Sequence, residues 1–267
     1  MIHEEAWPQG TPAWVDVMVP DLEAARAFYG PLFGWDFAVG APETGYYTMA
    51  LKHGQPVVGL GQTQPGTVGP PVAWTTYLAV DDADATAAAA TAAGGTVLAE
   101  PMGVLEFGRM AVLADPTGAV FGIWQSGAHT GASLVNEPGT VIWNEGLSHD
   151  LAAARAFYGS VFGYTFDDMS GVGFEYATAN VNGKNVGGLG GTGTLPDDAL
   201  PHWQVYFAVA DTDKATARAV ELGATVVDGP RDSPYGRLTE LSGPAGEQFT
   251  LMSTTEPESA DRPDQAR

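Results

Sequence analysis

The chain has 267 residues, 32 of them acidic and 11 basic, and its net charge at pH 7 is −21. This charge argues against nucleic acid or an anionic membrane surface as a partner, because binding to either needs a basic protein face. The absence of cysteine excludes disulfides, thiolate metal sites and cysteine nucleophiles, and it fits a cytoplasmic protein. No apolar run approaches the roughly 20 residues of a membrane span, and the opening MIHEEAWPQG lacks the basic and apolar regions of a signal peptide.

Residues 14–35 predict a strand followed by a helix. Valines at alternate positions from 15 to 19 have the period of a half-buried strand, and the proline at position 20 ends it because proline has no N–H to donate. Asp21 is a suitable N-cap for the helix, and Gly34 is a suitable residue to end it. The apolar stripe of this helix comprises Leu22, Ala25, Phe28, Tyr29, Leu32 and Phe33.

Beyond the first helix, the chain alternates between short strands, turns and a second helix. A Pro/Gly-rich stretch at residues 63–71 separates two such units, and the segment from Asp115 to Gly118 is typical of a hairpin turn. The strand that begins at Trp74 and the helix after it repeat the order of residues 14–35 more weakly, so each half of the chain is predicted to hold two βαβββ units. The predicted strands are residues 46–50, 56–62, 74–80, 96–98, 109–114 and 119–125, and the second helix is residues 83–93.

The pattern of the first strand and helix returns at residues 143–164, where the segment ARAFYG is identical. Trp14 and Trp143 stand 129 positions apart, and Trp74 and Trp203 are separated by the same interval. A repeat of this length indicates a duplicated domain. The predicted division is an arm at residues 1–11, a first domain at 12–126, a linker at 127–139, a second domain at 140–253 and a tail at 254–267, whose polar composition predicts disorder.

The segments WVDVMVPDLEAARAFYGPLFGW and GRMAVLADPTGAVFGIWQ resemble the first and last parts of a vicinal oxygen chelate domain. That superfamily includes glyoxalase I, extradiol dioxygenases, fosfomycin resistance enzymes and bleomycin-binding proteins, so the resemblance implies a fold more than a reaction. The implied fold is α+β, with two tandem domains that each consist of two βαβββ units forming a cup-shaped mixed sheet. The stretch from Trp124 to Glu145 also resembles tandem-domain actinobacterial proteins labelled glyoxalase-like or hydroxylase, some of which accompany antibiotic biosynthesis, including anthracycline pathways.

Enzymes of this superfamily hold a divalent metal ion with His, Gln or Glu side chains from three strands, and the resemblance assigns these positions in each half of the chain. An indole N–H has no lone pair for a metal ion, glycine has no side chain, and neutral Thr and Gln are poor ligands for zinc, nickel or iron. We therefore expect neither cup to hold a metal ion, and we expect no other cofactor. The implied positions are Trp14, Thr75 and Gly122 in the first domain and Trp143, Gln204 and Thr250 in the second.

The same strand faces carry aromatic and apolar side chains, and Gly122 is expected to leave space where a metal ligand would otherwise project. Cups lined in this way suit a planar apolar ligand, although the same residues can equally form an ordinary hydrophobic core. The predicted ligand-binding residues are Trp14, Met18, Tyr47, Thr75, Tyr77 and Trp124 in the first cup and Trp143, Tyr176, Gln204, Tyr206, Thr250 and Met252 in the second.

Asp16 and Glu145 occupy matched positions, each two residues after the tryptophan of its cup. A carboxylate that points inward is costly unless it is hydrogen-bonded or paired. Three roles stay open for each acid. It can make a structural hydrogen bond to a tyrosine, an indole N–H or the backbone, contact an ammonium group of a ligand, or act as a general base with a raised pKa.

Three functional hypotheses follow from these features. The first is a metal-independent protein that binds a planar aromatic natural product, such as an anthracycline-like polyketide with or without a cationic group, for antibiotic sequestration and self-resistance or as an accessory to a biosynthetic oxygenase in a hydroxylation step. The second is a glyoxalase-like lyase or isomerase, or an oxygenase-type enzyme, that uses Asp16 or Glu145 as general base. The third is a protein-interaction module. The chain is expected to be a monomer in which the two halves form a pseudo-dimer, or else a homodimer.

Overall fold

The structure, a computed structural model, describes residues 2–63 and 71–254. Most of the predicted connection at residues 63–71, and all of the predicted tail beyond residue 254, lie outside these described residues. The first half contains strands β1 (Pro12–Val19), β2 (Asp36–Val39), β3 (Thr48–Lys52), β4 (Gln55–Gln62), β5 (Trp74–Ala79), β6 (Thr96–Val104), β7 (Gly108–Ala114) and β8 (Val120–Ser126), with helices α1 (Leu22–Phe33) and α2 (Ala83–Ala92).

The second half repeats this order of elements. Its strands are β9 (Val141–Leu147), β10 (Thr165–Asp168), β11 (Tyr176–Val181), β12 (Lys184–Gly190), β13 (His202–Ala208), β14 (Thr225–Ser233), β15 (Gly236–Ser242) and β16 (Gln248–Ser253), and its helices are α3 (Leu151–Phe162) and α4 (Thr212–Glu221). None of the helices in the described part of the chain has the length and apolar character required to span a bilayer.

Each half folds into one eight-stranded mixed sheet. The strand order is β2-β3-β4-β1-β5-β8-β7-β6 in the first half and β10-β11-β12-β9-β13-β16-β15-β14 in the second. The central strand β1 pairs parallel with β4 and antiparallel with β5, and β9 makes the matching pairs in the second sheet. The predicted α+β fold with two βαβββ units in each half is therefore confirmed.

The predicted helix ends are also confirmed. The Asp21 carboxylate accepts a hydrogen bond from the Ala24 N–H at 3.0 Å, and Asp150 caps α3 in the same way. These caps satisfy N–H groups that the first turn of a helix leaves unpaired. Helix α1 ends at Gly34, whose φ of 68° lies in the left-handed region that glycine adopts without steric cost.

Three strands differ most from the sequence-based expectation. Strand β2 and its counterpart β10 were not predicted, because each has four residues that are mostly exposed and so lacks an alternating apolar pattern. Strand β6 runs to Val104 rather than ending near residue 98. Its pairing with β7 shifts register twice, and such bulges break the two-residue period that reveals a strand in the sequence.

The hydrophobic core is divided into two clusters, and each cluster combines side chains from both halves of the chain. Helix α1 packs with α4, while α2 packs with α3. One cluster joins α1 and β1 to β13 and β16, and the other joins α3 to β5, β7 and β8. The helical faces of the two sheets therefore bury each other, and the opposite faces point away from this shared core.

Two tyrosines link the halves within these clusters. The Tyr29 hydroxyl on α1 donates to Glu247 Oε1 at 2.6 Å, and the Tyr158 hydroxyl on α3 donates to Asp115 Oδ2 at 3.0 Å. Asp115 also accepts backbone N–H groups of its own hairpin turn. The matching turn of the second half has Gly243 at the place of this aspartate, and Glu247 supplies the carboxylate from the other end of the turn.

We predict that Tyr29→Phe lowers the free energy of unfolding by about 1–3 kcal/mol, because it leaves a carboxylate that is almost fully buried without its hydroxyl donor. Equilibrium urea unfolding measures the change. Tyr158→Phe should have the same sign, and Tyr46→Phe, on an exposed side chain, serves as the control. Equal stability of Tyr29→Phe and the control would show that the link contributes nothing.

Candidate functional site

The two cups are the sheet faces opposite the shared core. On β1, the valines point towards the core, whereas Trp14 and Asp16 belong to the other face. Trp14 lies opposite Tyr77 on β5, and Tyr77 in turn pairs with Gly122 on β8. The same register brings Trp143, Tyr206 and Thr250 together in the second half.

Each cup contains a chain of hydrogen bonds from tryptophan through tyrosine to a carboxylate. In the first cup, the indole N–H of Trp14 donates to the Tyr47 hydroxyl at 2.9 Å, and that hydroxyl donates to Asp16 Oδ2 at 3.0 Å. In the second cup, Trp143 donates to Tyr176 at 3.1 Å, and Tyr176 donates to Glu145 Oε2 at 2.7 Å. Of the three roles left open for the acids, each acid thus makes the hydrogen bond to a tyrosine.

The two acids differ in how completely they are hydrogen-bonded. Glu145 is one methylene longer, and its second oxygen, Oε1, accepts a further hydrogen bond from the Tyr206 hydroxyl. Tyr77 occupies the matching position beside Asp16, yet Asp16 Oδ1 has no hydrogen-bond partner among the described residues. Glu145 is therefore fully satisfied, whereas Asp16 Oδ1 lies near the Tyr77 hydroxyl without a hydrogen bond of normal geometry.

Burial dominates the ionisation of these groups. It raises the pKa of Asp16 to about 7, while the Tyr47 hydroxyl bonded to Oδ2 and the neighbouring Tyr77 hydroxyl act in the opposite direction. Burial also raises the pKa of Glu145, while hydrogen bonds from Tyr206 and Tyr176 act in the opposite direction. Because burial also raises the pKa of these tyrosines above its ordinary value, they remain protonated donors at neutral pH.

The side chains at the positions implied for metal ligands do not fit a divalent cation. Both indole N–H groups donate to tyrosines, and the Gln204 amide nitrogen donates to Thr250 Oγ1 at 2.9 Å. The expectation of free space at Gly122 is wrong, because the ring of Tyr77 occupies that position and would collide with an added Cβ atom. In residues 2–63 and 71–254, no three His, Asp or Glu side chains are grouped closely enough to hold a metal ion.

A segment that we call the strap, residues 127–135, closes the first cup. Ala132 of the strap packs against Trp14, Tyr77 and Trp124. The His129 ring meets the Trp14 ring edge-on with a centroid distance of 4.5 Å, and the backbone oxygen of His129 accepts the Trp124 indole N–H at 2.9 Å. These three aromatic side chains are 5–7% exposed, so the first cup is filled by its own residues and the strap.

The strap is attached at several points along its length. The Ala132 N–H donates to the Ala13 carbonyl at 2.7 Å, and the Ser133 N–H donates to the Pro56 carbonyl at 2.9 Å. On its outer side, the N-terminal arm adds a hydrogen bond from the Trp7 indole to the Ala132 carbonyl. The strap is thus part of the folded structure.

The second cup is more accessible than the first. Trp143, Tyr176 and Tyr206 are half-buried, although Glu145 beneath them is 8% exposed. Gln204, Thr250 and Met252 are buried in the floor. In the first cup, Thr75 lies opposite Asp16, and the exposed Met18 lies over Gly61. The structure thus brings the predicted residues into two cups, of which the second exposes its aromatic side chains.

Two further residues of the second cup were missed in the sequence. His202 begins β13 on the face that carries Gln204, and Glu240 on β15 lies opposite Thr250. The charge of His202 lowers the pKa of both Glu145 and Glu240, although burial keeps each of these pKa values above normal. The matched positions in the first half are Ala73 and Val112. A comparison of the two copies for polar replacements would have revealed both residues.

The chain is similar to known proteins along nearly its whole length. Residues 11–123 match the Glyoxalase/Bleomycin resistance protein/Dioxygenase superfamily, and residues 144–252 match a glyoxalase-like domain. A Mycobacterium tuberculosis protein named as a candidate glyoxylase, CFP32, is 40% identical over 94% of this chain and 98% of its own length. The anthracycline biosynthesis protein DnrV of Streptomyces peucetius is 39% identical over 92% of this chain and 94% of its own.

Solved structures share the fold at lower identity. An Mn(II)-bound glyoxalase from Novosphingobium aromaticivorans superposes with a TM-score of 0.62 at 19% identity, covering 93% of this chain and 83% of that one. The 2,2',3-trihydroxybiphenyl 1,2-dioxygenase of Sphingomonas wittichii superposes with a TM-score of 0.61 at 13% identity and covers 94% of each chain. At these identities the similarity shows the fold alone.

We predict that Asp16→Asn stabilises the protein more at pH 8 than at pH 4.5. The pKa of Asp16 is about 7 in the folded state and 3.8 for the ordinary carboxyl, so between these values the unfolded chain releases a proton that the folded chain retains. The wild type therefore loses stability as the pH rises through this range, whereas the asparagine variant does not. The difference in Tm between the two proteins, measured by calorimetry, should grow by several degrees, and Asp36→Asn on the surface should show no such trend.

Proposed function

The chain belongs to the glyoxalase/bleomycin resistance/dioxygenase superfamily, also called the vicinal oxygen chelate superfamily, as two tandem domains, and from this premise we propose that it binds a planar aromatic small molecule in its second cup without a metal ion. The observation that carries the proposal is the contrast between the cups. The first is packed shut, whereas the second presents half-buried Trp143, Tyr176 and Tyr206 around a satisfied Glu145.

The chemistry of the second cup favours a flat apolar ligand. Aromatic side chains contribute large contact areas and stack on flat rings at little entropic cost. The hydrogen bonds among Trp143, Tyr176, Glu145 and Tyr206 hold three of these side chains in fixed orientations before a ligand arrives. Gln204 and Thr250 add polar groups that can orient the ligand.

The ligand class is proposed from the relatives. DnrV and the related DauV of Streptomyces sp. strain C5, which is 38% identical over 92% of this chain and 94% of its own, are named anthracycline biosynthesis proteins. We therefore propose an anthracycline-like polyketide as the ligand. The protein would sequester it for self-resistance or present it to a biosynthetic oxygenase for hydroxylation. Binding would need no metal ion, because the indole and amide groups at the ligand positions are used as hydrogen-bond donors.

A second candidate function is general-base catalysis on a small carbonyl compound. The observation that favours it is the buried Glu145, whose pKa burial raises and which lies near His202. A carboxylate with a raised pKa accepts a proton more readily near neutral pH. The mycobacterial relative carries the name of a candidate glyoxylase. Asp16 is the matching candidate in the first cup, where the strap restricts access.

Isothermal titration with the anthracycline daunorubicin tests the binding proposal. We expect saturable binding that a chelator leaves unchanged and that Trp143→Ala weakens roughly tenfold or more, since stacked aromatic contacts dominate such sites. The matched Trp14→Ala variant reports on the other cup. Loss of binding with the chelator, or weakening by Trp14→Ala alone, would contradict the proposal.

A turnover assay tests the enzymatic candidate. The hemithioacetal of methylglyoxal and glutathione serves as substrate, and Glu145→Gln keeps the size of the side chain while removing its basicity. If Glu145 is the base, the variant should lose at least a hundredfold in kcat, the usual contribution of general-base catalysis. Equal turnover by the wild type, Glu145→Gln and Asp16→Asn would remove both acids from the reaction.

A further inference from the structure

We propose that the first cup is a second binding site, one that takes a primary ammonium ion carried on a small apolar body and uses Asp16 as its anionic partner. This inference goes beyond the proposed function, which concerns a different cup and a different ligand class. It rests on an unpartnered carboxylate oxygen, on the aromatic groups around it, and on the way in which the strap closes the cup.

The unpartnered oxygen belongs to a deeply buried side chain. Asp16 is 6% exposed, and its Oδ2 accepts the hydroxyl of Tyr47 while its Oδ1 has no hydrogen-bond partner among the described residues. Within the same residues, no Lys or Arg forms an ion pair with Asp16. A buried acceptor without a donor costs free energy, and a buried anion costs more, so a ligand that supplies an N–H and a positive charge would satisfy both demands.

The groups around Asp16 also favour a cation. Trp14, Tyr77 and Trp124 form one cluster at this site, and the electron-rich faces of such rings attract ammonium groups. Burial lowers the pKa of His129 to about 4, so this histidine is uncharged at neutral pH and does not serve as the counter-ion. Its Nε2 is a second buried atom that lacks a partner in the described structure. The overall charge of −21 further attracts a cationic ligand.

The packing of the cup limits the size of the ligand. The Tyr77 ring fills the space at Gly122, and the Met18 thioether fills the space at Gly61. Ala132 of the strap completes the cluster. A large fused ring system therefore does not fit beneath the strap, whereas an ammonium group on a single small body can reach Asp16 once the strap is displaced.

Gly131 offers a means to displace the strap. Its φ is +104°, and a Cβ atom there would lie 2.5 Å from the Ala13 carbonyl oxygen that accepts the Ala132 N–H. Gly131→Ala is thus expected to loosen the strap at its contact with β1 while leaving every side chain of the cup unchanged. His129→Ala is a second route, because it removes the ring that contacts Trp14 and Trp124.

Titration calorimetry with benzylammonium on the full-length protein tests the proposal. We expect Gly131→Ala to bind benzylammonium at least tenfold more tightly than the wild type, because packing of the strap onto the first cup no longer competes with the ligand. Adding Asp16→Asn to this variant should weaken binding roughly tenfold to a hundredfold, as expected for the loss of a hydrogen bond to a charged group. Benzyl alcohol, the neutral analogue, should bind neither protein measurably.

Three results would overturn the proposal. A folded Gly131→Ala protein that does not bind benzylammonium would do so, as would equal binding of benzylammonium with and without Asp16→Asn. Loss of benzylammonium binding in Glu145→Gln would also do so, because it would assign the amine to the second cup. Thermal melting establishes that the variants fold, and His129→Ala replaces Gly131→Ala if the latter does not. Daunorubicin binding and its dependence on Trp143 are measured separately, so a failure here is distinguishable from a failure of the proposed function.

Discussion

The architecture depends on the mutual burial of the helical faces of the two halves. Helix α1 packs with α4, and α2 packs with α3, so each core cluster is completed only when both halves are present. The hydroxyls of Tyr29 and Tyr158 reach across these clusters to carboxylates of the opposite half. Because one face of each sheet is occupied in this way, the other face is left as the place where a ligand can bind.

Duplication then allowed the two remaining faces to diverge. The Trp–Tyr–carboxylate chain is preserved in both cups, which indicates that it positions side chains whatever the cup binds. A single methylene separates Asp16 from Glu145, and the longer acid reaches a second tyrosine donor. His202 and Glu240 make the second cup more polar than the first, where the matched residues are alanine and valine. The strap adds a further difference, because it covers only the cup of the domain that precedes it.

The sequence alone predicted those features that depend on local patterns or on the repeat. Helix α1 could be delimited because Asp21 and Gly34 each satisfy a specific requirement at a helix end. The cup residues could be assigned because strand alternation and the repeat place them on one face. The closure by His129 and Ala132 could not be foreseen, since it depends on the route of an irregular segment with no periodicity. Likewise, the filling of the space at Gly122 follows from the orientation of the Tyr77 ring, which sequence spacing does not specify.

The strap is also part of the covalent connection between the domains, and this connection is fastened to the fold again at Gly139, just before β9. The Gly139 carbonyl accepts the buried Trp35 indole N–H at 2.6 Å, while the Gly139 N–H donates to the Ala208 carbonyl at 2.7 Å. This double attachment lies between the strap and β9, the strand that carries Trp143 and Glu145. Along the chain itself, a displacement of the strap is therefore expected to end at Gly139, before it reaches β9. The direct link between the cup strands lies elsewhere: the Thr76 hydroxyl on β5 donates to Asn144 Oδ1 on β9 at 2.9 Å, so the packed sheets, and not the connecting segment, hold the two cups in a fixed relation.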